Sequence, residues 1–500
     1  MQLKAQVCVL VVVGVVLVVG SLVFHHFFQR VFGSMLEQRL MLVPGSKTLD
    51  NFKAPPVPIF MQFWLFNVTN PEAVMMEGAT PVLQQVGPYT YEEKQLKYNL
   101  TFNDEEGTVT YLQNKTFFFR PELSPGVSLA DRVTTVNAVM IGLGNLLASR
   151  PAHFAAVAQL WFHRFGVTPL VTKTVRELLF DGYEEPLLLQ LADLTGKPEH
   201  ATGKFGFYRK NNTNDGTYTV YTGVKGMDRY QHIARWRGKS TIDFWENDTA
   251  GDNTCNMING TAGSQFPRPV TRHTLLRLYV AELCRSIYAE YQRDVRHGAL
   301  TLYRFVLPPR LLANSPENQC YCHDPFTCRA SMINVAPCRK GAPVVMSTPH
   351  FYQGSAEDVA ELQGLAPHAL EHETYLDVEP NTGVTFRAAK RIQVNLPLRQ
   401  YAGIPAFRNV PDVVMPVFWV NESAVVPLER THALHRTLTL PFTLVTVGVG
   451  VLVTLGVVLM LVAAIKVCLA VRAASGGKNR RPQRDKDKTV TEKLNSRNYS

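Results

Sequence analysis

The sequence predicts a fold that is mainly β with α: a large antiparallel β-barrel domain carrying a helical bundle, anchored by a transmembrane helix at each end. Three observations lead there. Uncharged apolar runs stand at residues 5–24 and 440–465, each reaching the roughly 20 residues with which a helix crosses about 30 Å of hydrocarbon. Between them most regular stretches alternate polar with apolar residues, the period of a half-buried strand. Helical periodicity collects in one stretch, at residues 130–195.

Taken from the N-terminus, residues 1–4 are read as cytosolic and residues 5–24 as an uncleaved anchor. The apolar run exceeds the core of a signal peptide, and Phe24-His25-His26-Phe27-Phe28 offers no small-residue cleavage site. Two spans, 5–24 and 440–465, put both termini on one side. The positive-inside rule makes that side the cytosol, because the tail at 466–500 holds ten basic residues against three acids. This tail accounts for most of the formal charge of +10. The basic balance therefore reports a cytosolic tail near anionic headgroups and gives no sign of nucleic acid. Cys8 and Cys468 border the spans and are candidates for reversible palmitoylation.

Residues 25–439 then form one extracytosolic domain. Seven N-x-[ST] sequons fall in it, at Asn67, Asn99, Asn114, Asn211, Asn247, Asn259 and Asn421; each has to be a surface position if it carries a glycan. Six cysteines cluster there as well, at 255, 284, 320, 322, 328 and 338. In an oxidising compartment they imply three disulfides, with about fifteen pairings left open. Residues 58–68, 108–119, 217–221 and 391–396 read as strands, and together they predict a large antiparallel sheet or barrel.

In the helical stretch, Pro151 opens and Gly166 closes a helix whose apolar residues Phe154, Val157, Ala158, Trp161 and Phe165 form one stripe. Thr174-Val175-Arg176-Glu177 is a capping box that opens a helix over 175–180. Residues 134–147 are apolar enough for a third, more buried helix. Off the stripe, Phe162, His163 and Arg164 set an aromatic beside a cation near the surface, a pairing that suits anionic amphiphiles. This trio is the candidate ligand site, although the helix dipole favours a cation there in any case.

Catalytic signals are sparse. His368-Ala369-Leu370-Glu371-His372 matches the H-x-x-E-H pattern of a zinc hydrolase class. Pro367 before it and the strand-like residues 374–380 after it leave little helix to present two ligands. No nucleophile elbow, Walker loop or dinucleotide loop occurs. The sequence thus predicts no catalytic residue, no metal site and no cofactor.

Ordered motifs along the chain, among them Gln62-Phe63-Trp64-Leu65-Phe66-Asn67-Val68-Thr69-Asn70-Pro71, Gly87-Pro88-Tyr89-Thr90-Tyr91, Cys284-Arg285-Ser286-Ile287-Tyr288, Pro349-His350-Phe351 and Tyr375-Leu376-Asp377-Val378-Glu379-Pro380, resemble those of the class B scavenger receptors. Within that family the six-cysteine layout is most similar to the fatty acid translocase (platelet glycoprotein IV) branch, with the high-density lipoprotein receptor and the lysosomal integral membrane protein as relatives. The resemblance implies disulfides Cys255–Cys320, Cys284–Cys338 and Cys322–Cys328, a lipid tunnel through the barrel, and a helical bundle at the membrane-distal end with Arg164 at a ligand-contacting position. It further implies a cell-surface receptor that binds and takes up long-chain fatty acids, anionic phospholipid and oxidised or native lipoproteins. Matrix proteins, apoptotic cells and a homo-oligomeric partner belong to the same expectation. The tail has no dileucine pair, which favours the plasma membrane over the lysosomal membrane. The alternatives are a lysosomal sorting receptor carrying a hydrolase and, more remotely, a membrane-tethered zinc hydrolase. One departure stands out: Gly182-Tyr183-Glu184-Glu185-Pro186 puts an acid where the family has a cation.

Overall fold

The computed structural model describes residues 2–477 apart from 149, 197–201, 210, 247–252 and 402. The sequon at Asn247 and tail residues 478–500 lie outside the described residues. The chain divides into two compact units, one made of Met1–Met35 with Leu434–Ser500, the other of Leu36–Ala433.

In the first unit, the helices Gln2–Leu40 and Leu440–Ala473 are each long and apolar enough to cross a membrane. The first outruns the expected residues 5–24, because nothing from His25 to Leu40 breaks a helix before Pro44-Gly45. Gly14, Ser21, Gly456 and Ala463 are buried on otherwise exposed apolar helices. A Cβ on Gly14 would lie 2.8 Å from the Gly456 carbonyl oxygen, so the two backbones meet along a seam of small residues, as membrane helices do. Cys8 and Cys468 are both exposed and unbridged.

The second unit is organised by one large sheet. In spatial order its strands are Leu276–Val280, Arg285–His297, Leu300–Val306, Tyr375–Val378, Thr385–Leu398, Val413–Val425, Ile59–Val68, Leu83–Asn103, Thr108–Phe119, Thr217–Tyr221 and Ile233–Trp236. Neighbouring strands are antiparallel throughout. The sheet curls into a nearly closed barrel, and a strap at residues 260–261 links its end strands. Ile233 N–H donates to the Gly260 carbonyl, Thr261 N–H to that of Arg277 and Tyr279 N–H to that of Thr261. Gly260 sits at φ +102°, and a Cβ there would lie 2.2 Å from the Arg277 carbonyl group, so only glycine lets the strap lie this close. The disulfides join Cys255 to Cys320, Cys284 to Cys338 and Cys322 to Cys328.

Thr108–Phe119 and Thr217–Tyr221 form as the alternation predicts, and Ile59–Val68 starts one residue late. Residues 391–396 belong to the longer strand Thr385–Leu398, and its polar face is not open to solvent: Gln393 and Asn395 are as inaccessible as Val394 and Leu396. Their outer face is covered by residues 345–350. Asn395 Nδ2 donates to the Val345 carbonyl and Ser347 Oγ, and Gln393 Oε1 accepts from His350 N–H. The expected helix over 134–147 is corrected at its start. Arg132–Val136 is a strand paired with Leu170–Thr174, and the helix is Ala138–Ala148. Val133, Thr135 and Val136 are β-branched, which suits the pleated ribbon better than a helix.

The sequon positions differ in exposure. Asn421 lies inside Val413–Val425, only 9% exposed, with Nδ2 donating to Gln62 Oε1 at 3.1 Å. A glycan would have to leave from that nitrogen, so the position is not a surface one. Asn99 and Asn211 are exposed, while Asn67, Asn114 and Asn259 are half-buried. Glycopeptide mapping of the secretory product is expected to find Asn421 bare and Asn99 occupied; a glycan on Asn421 would show that this strand pairs after modification.

Candidate functional site

The helical head grows out of the ribbon just described. Between its two strands the chain rises as Ala138–Ala148 and returns as Ala152–Phe165. Pro151 precedes the second helix, and Gly166 at φ +63° closes it with its N–H on the His163 carbonyl. The capping box forms as expected: Glu177 N–H donates to Thr174 Oγ1, and Thr174 N–H donates back to Glu177 Oε2 at 2.8 Å. These bonds hold the Glu177 carboxyl below its ordinary pKa.

The trio named from the sequence does not share one surface. His163 and Arg164 are exposed, but Phe162 is 2% exposed, packed edge-on to Phe407 with ring centroids 6.2 Å apart. The buried stripe is Ala155, Ala158 and Phe162, flanked by half-buried Phe154, Trp161 and Phe165. It is turned about one residue from the stripe expected, because the small Ala155 and Ala158 are what let the helix approach its neighbours. Val157, assigned to the core, is 39% exposed.

A different face results. His153, Val157, Leu160 and Arg164 follow the i, i+4, i+7, i+11 spacing of one helix face. All four are exposed, Leu160 at 70%. Among the described residues, none pairs with Arg164 in an ion pair. The spacing could have identified Leu160, but an apolar residue beside Trp161 reads as core. Glu184 is paired with Lys204 at 3.5 Å, with both side chains exposed. Glu185 is buried, and burial raises its carboxyl pKa.

A second set of groups lines the inside of the barrel. Strand register places Met61, Tyr91, Glu93, Lys97, Tyr111, Lys115, Lys390 and Glu422 on the face that holds Phe63 and Phe418. The opposite face carries the exposed Lys94 and Phe118. Phe63, Tyr91, Phe117, Phe180, Tyr208 and Phe418 form an aromatic cluster at one level. Next to it runs a chain of charges. Lys115 lies 3.2 Å from Glu93 and 3.6 Å from Glu422, and Lys390 lies 3.4 Å from Glu422 and 3.0 Å from Glu282. The Lys115 and Lys390 side chains keep 32% and 31% of their surface accessible. The lumen around them is therefore open to water.

Electrostatics inside the lumen follow from this pairing. Burial alone would push Lys115 and Lys390 down, but the surrounding glutamates hold both ammonium groups above their ordinary pKa. Burial would raise Glu422 and Glu282, but the two lysines keep both below the usual carboxylate range. Glu93 has no exposed side-chain surface, and burial raises it.

The H-x-x-E-H motif folds as the single turn Ala369–His372. His372 is buried with Nδ1 accepting from His368 N–H at 2.9 Å, and its ring stacks on His350 with centroids 4.4 Å apart. Among the described residues no three His, Cys, Asp or Glu side chains are grouped to hold a metal ion.

A sequence profile described as "CD36 family" matches residues 10–467. The chain is 33% identical over 438 residues to "Lysosome membrane protein 2" of Rattus norvegicus, covering 86% of this chain and 89% of the relative. To the protein of that name in Homo sapiens it is 33% identical over 417 residues, covering 83% and 84%. It is 31% identical over 455 residues to "Scavenger receptor class B member 1" of Bos taurus, covering 90% and 87%.

Proposed function

Because the chain belongs to the CD36 family, we propose that it is a two-pass membrane receptor that captures lipids and lipoprotein particles on its helical head and takes them up without covalent chemistry. The observation that carries this reading is the exposed stripe of Ala152–Phe165, where Val157 and Leu160 stand in water beside Arg164, which has no ion-pair partner among the described residues. An apolar pair next to a cation fits the surface of an anionic amphiphile: the cation steers it and the apolar side chains bury against it. Long-chain fatty acids, anionic phospholipids and oxidised or native lipoproteins share that surface. The water-accessible lumen, walled by aromatic rings at one level, supports passage of a single lipid through the barrel as the second step.

Plasma-membrane residence with both termini cytosolic goes with this reading. The relatives named as lysosome membrane protein 2 favour the lysosomal membrane as the alternative, in which the same domain sorts a partner protein. Steady-state imaging of the full chain separates the two. Replacing Arg164 with Glu is expected to weaken binding of oxidised low-density lipoprotein to cells several-fold, with surface abundance unchanged. Unaltered binding would remove Arg164 from the site. A Leu160→Asp variant tests the apolar half in the same assay, and its expected loss is of similar size.

A further inference from the structure

We propose that Lys97 is an anion-binding residue inside the barrel, holding the carboxylate or phosphate head of a single-chain amphiphile. The inference rests on the lipid-receptor reading and assigns one side chain to it. Lys97 lies on Leu83–Asn103, paired with Gln113 of the next strand and on the same face as Tyr111 and Lys115. Its ammonium stands 4.6 Å from the ring centroid of Phe52 and 5.7 Å from that of Tyr111.

The other luminal charges are spent on each other. Lys115 and Lys390 are each in contact with two glutamates. Among the described residues, Lys97 has no carboxylate and no hydrogen-bond acceptor, so two ring faces are what it rests on. A ring face attracts a cation but leaves most of the three N–H donors unused. Lys97 is half-buried, and its amino group is not sealed off. It therefore projects donors and an uncompensated charge into a space that water enters.

Burial, and then the neighbouring Lys115, push the Lys97 ammonium down to about 8. It remains mostly protonated at neutral pH while lacking the counter-charge that would hold it so. An arriving anion supplies that counter-charge, which is why an uncompensated cation binds anions more strongly than one already paired. The groups shown beside it are the aromatic rings of Phe52 and Tyr111. They fit an acyl chain lying next to the charged head. A free inorganic anion would use only the charge, so the site has the chemistry of an amphiphile.

The test uses the full chain in lipid nanodiscs, with empty nanodiscs as blanks, titrated with oleate, oleyl phosphate and oleyl alcohol. Lys97→Met is expected to weaken oleate or oleyl phosphate about 10-fold, equivalent to about 1.4 kcal/mol, and to leave oleyl alcohol unchanged. Lys97→Arg keeps the charge and is expected to stay within about 3-fold of wild type. Whichever anion loses more identifies the headgroup. The melting temperature of Lys97→Met is expected to match or exceed wild type, because it removes an unpaired charge from the lumen. Unchanged oleate and phosphate binding by Lys97→Met, or an equal loss of all three lipids, overturns the assignment of Lys97. If wild type binds none of the three, the lipid-receptor reading falls, and this inference with it.

Discussion

Asp377→Ala lowers the unfolding temperature of the full-length protein and cuts the amount that reaches the cell surface several-fold. Asp377 is inaccessible at the centre of a row across three strands, opposite Arg304 on one side and Arg387 on the other. Its two oxygens accept from Arg304 Nε at 2.7 Å and Nη2 at 2.8 Å, and from Arg387 Nε at 2.7 Å. Neither arginine has another carboxylate at this distance among the described residues, and their side chains are 13% and 24% exposed. Removing the one anion leaves two guanidinium groups facing each other in poor solvent. The cost of breaking a buried pair in this way is about 3–5 kcal/mol, comparable to much of a domain's stability margin. Asp377→Asn keeps the volume but loses the charge, and it falls between alanine and wild type. An alanine variant that melts with wild type would mean that water reaches both arginines.

The second large effect is of pH. Burial pushes the His350 imidazole down to about 4. Burial, then His350 and then Arg391 push His372 down to about 3. Both fold as neutral rings: His350 Nε2 bonds to Gln85 Oε1, which also accepts from Trp419 Nε1, and His350 Nδ1 accepts from Ala366 N–H. Each folded value lies below the unfolded value near 6.5, so the unfolded chain takes up the proton first as pH falls. The stability they allow is complete above about pH 6.5 and is lost below it, at about 1.4 kcal/mol per pH unit per ring. Between pH 6.5 and 5 the two together remove about 3 kcal/mol. Glu93 and Glu185, whose carboxyl groups are raised by burial, act in the opposite sense and offset part of this. A lower melting temperature at pH 5 than at pH 7 is expected, and His372→Asn narrows the gap by about half. Equal melting temperatures at the two pH values would show that the fold holds neither ring neutral. The sign bears on residence as well, since a chain held in an acidic lumen has to function with this margin removed.

Much of the architecture was legible because strands and helices leave different periods. Thr108–Phe119 alternates along its length, and the helix Ala152–Phe165 carries its own start and stop in Pro151 and Gly166. What was not legible has one common cause. Reading a pattern equates polar with solvent, and this barrel has polar groups on both of its faces. Lys115, Lys390 and Glu422 point into a wet lumen, with Glu93 buried against Lys115, so a period of two says nothing about which side they face. Gln393 and Asn395 look solvent-facing in the sequence and instead bond to the backbone and side chains of the covering segment. Phe162 failed for a related reason. The helix face that packs is chosen by the small residues Ala155 and Ala158, which carry little hydropathy signal but permit close approach. The exposed face with Leu160 and Arg164 is what that choice leaves over.

The strap at residues 260–261 gives the barrel a clasp. Elsewhere neighbouring staves are paired strand to strand, at greatest length between Thr385–Leu398 and Val413–Val425. At the strap the hoop is closed by three backbone bonds, those of Ile233, Thr261 and Tyr279. A hoop that is stretched from inside parts along a line that few fastenings hold. Anything that swells the interior therefore loads this line, and there the wall can open sideways without lengthening.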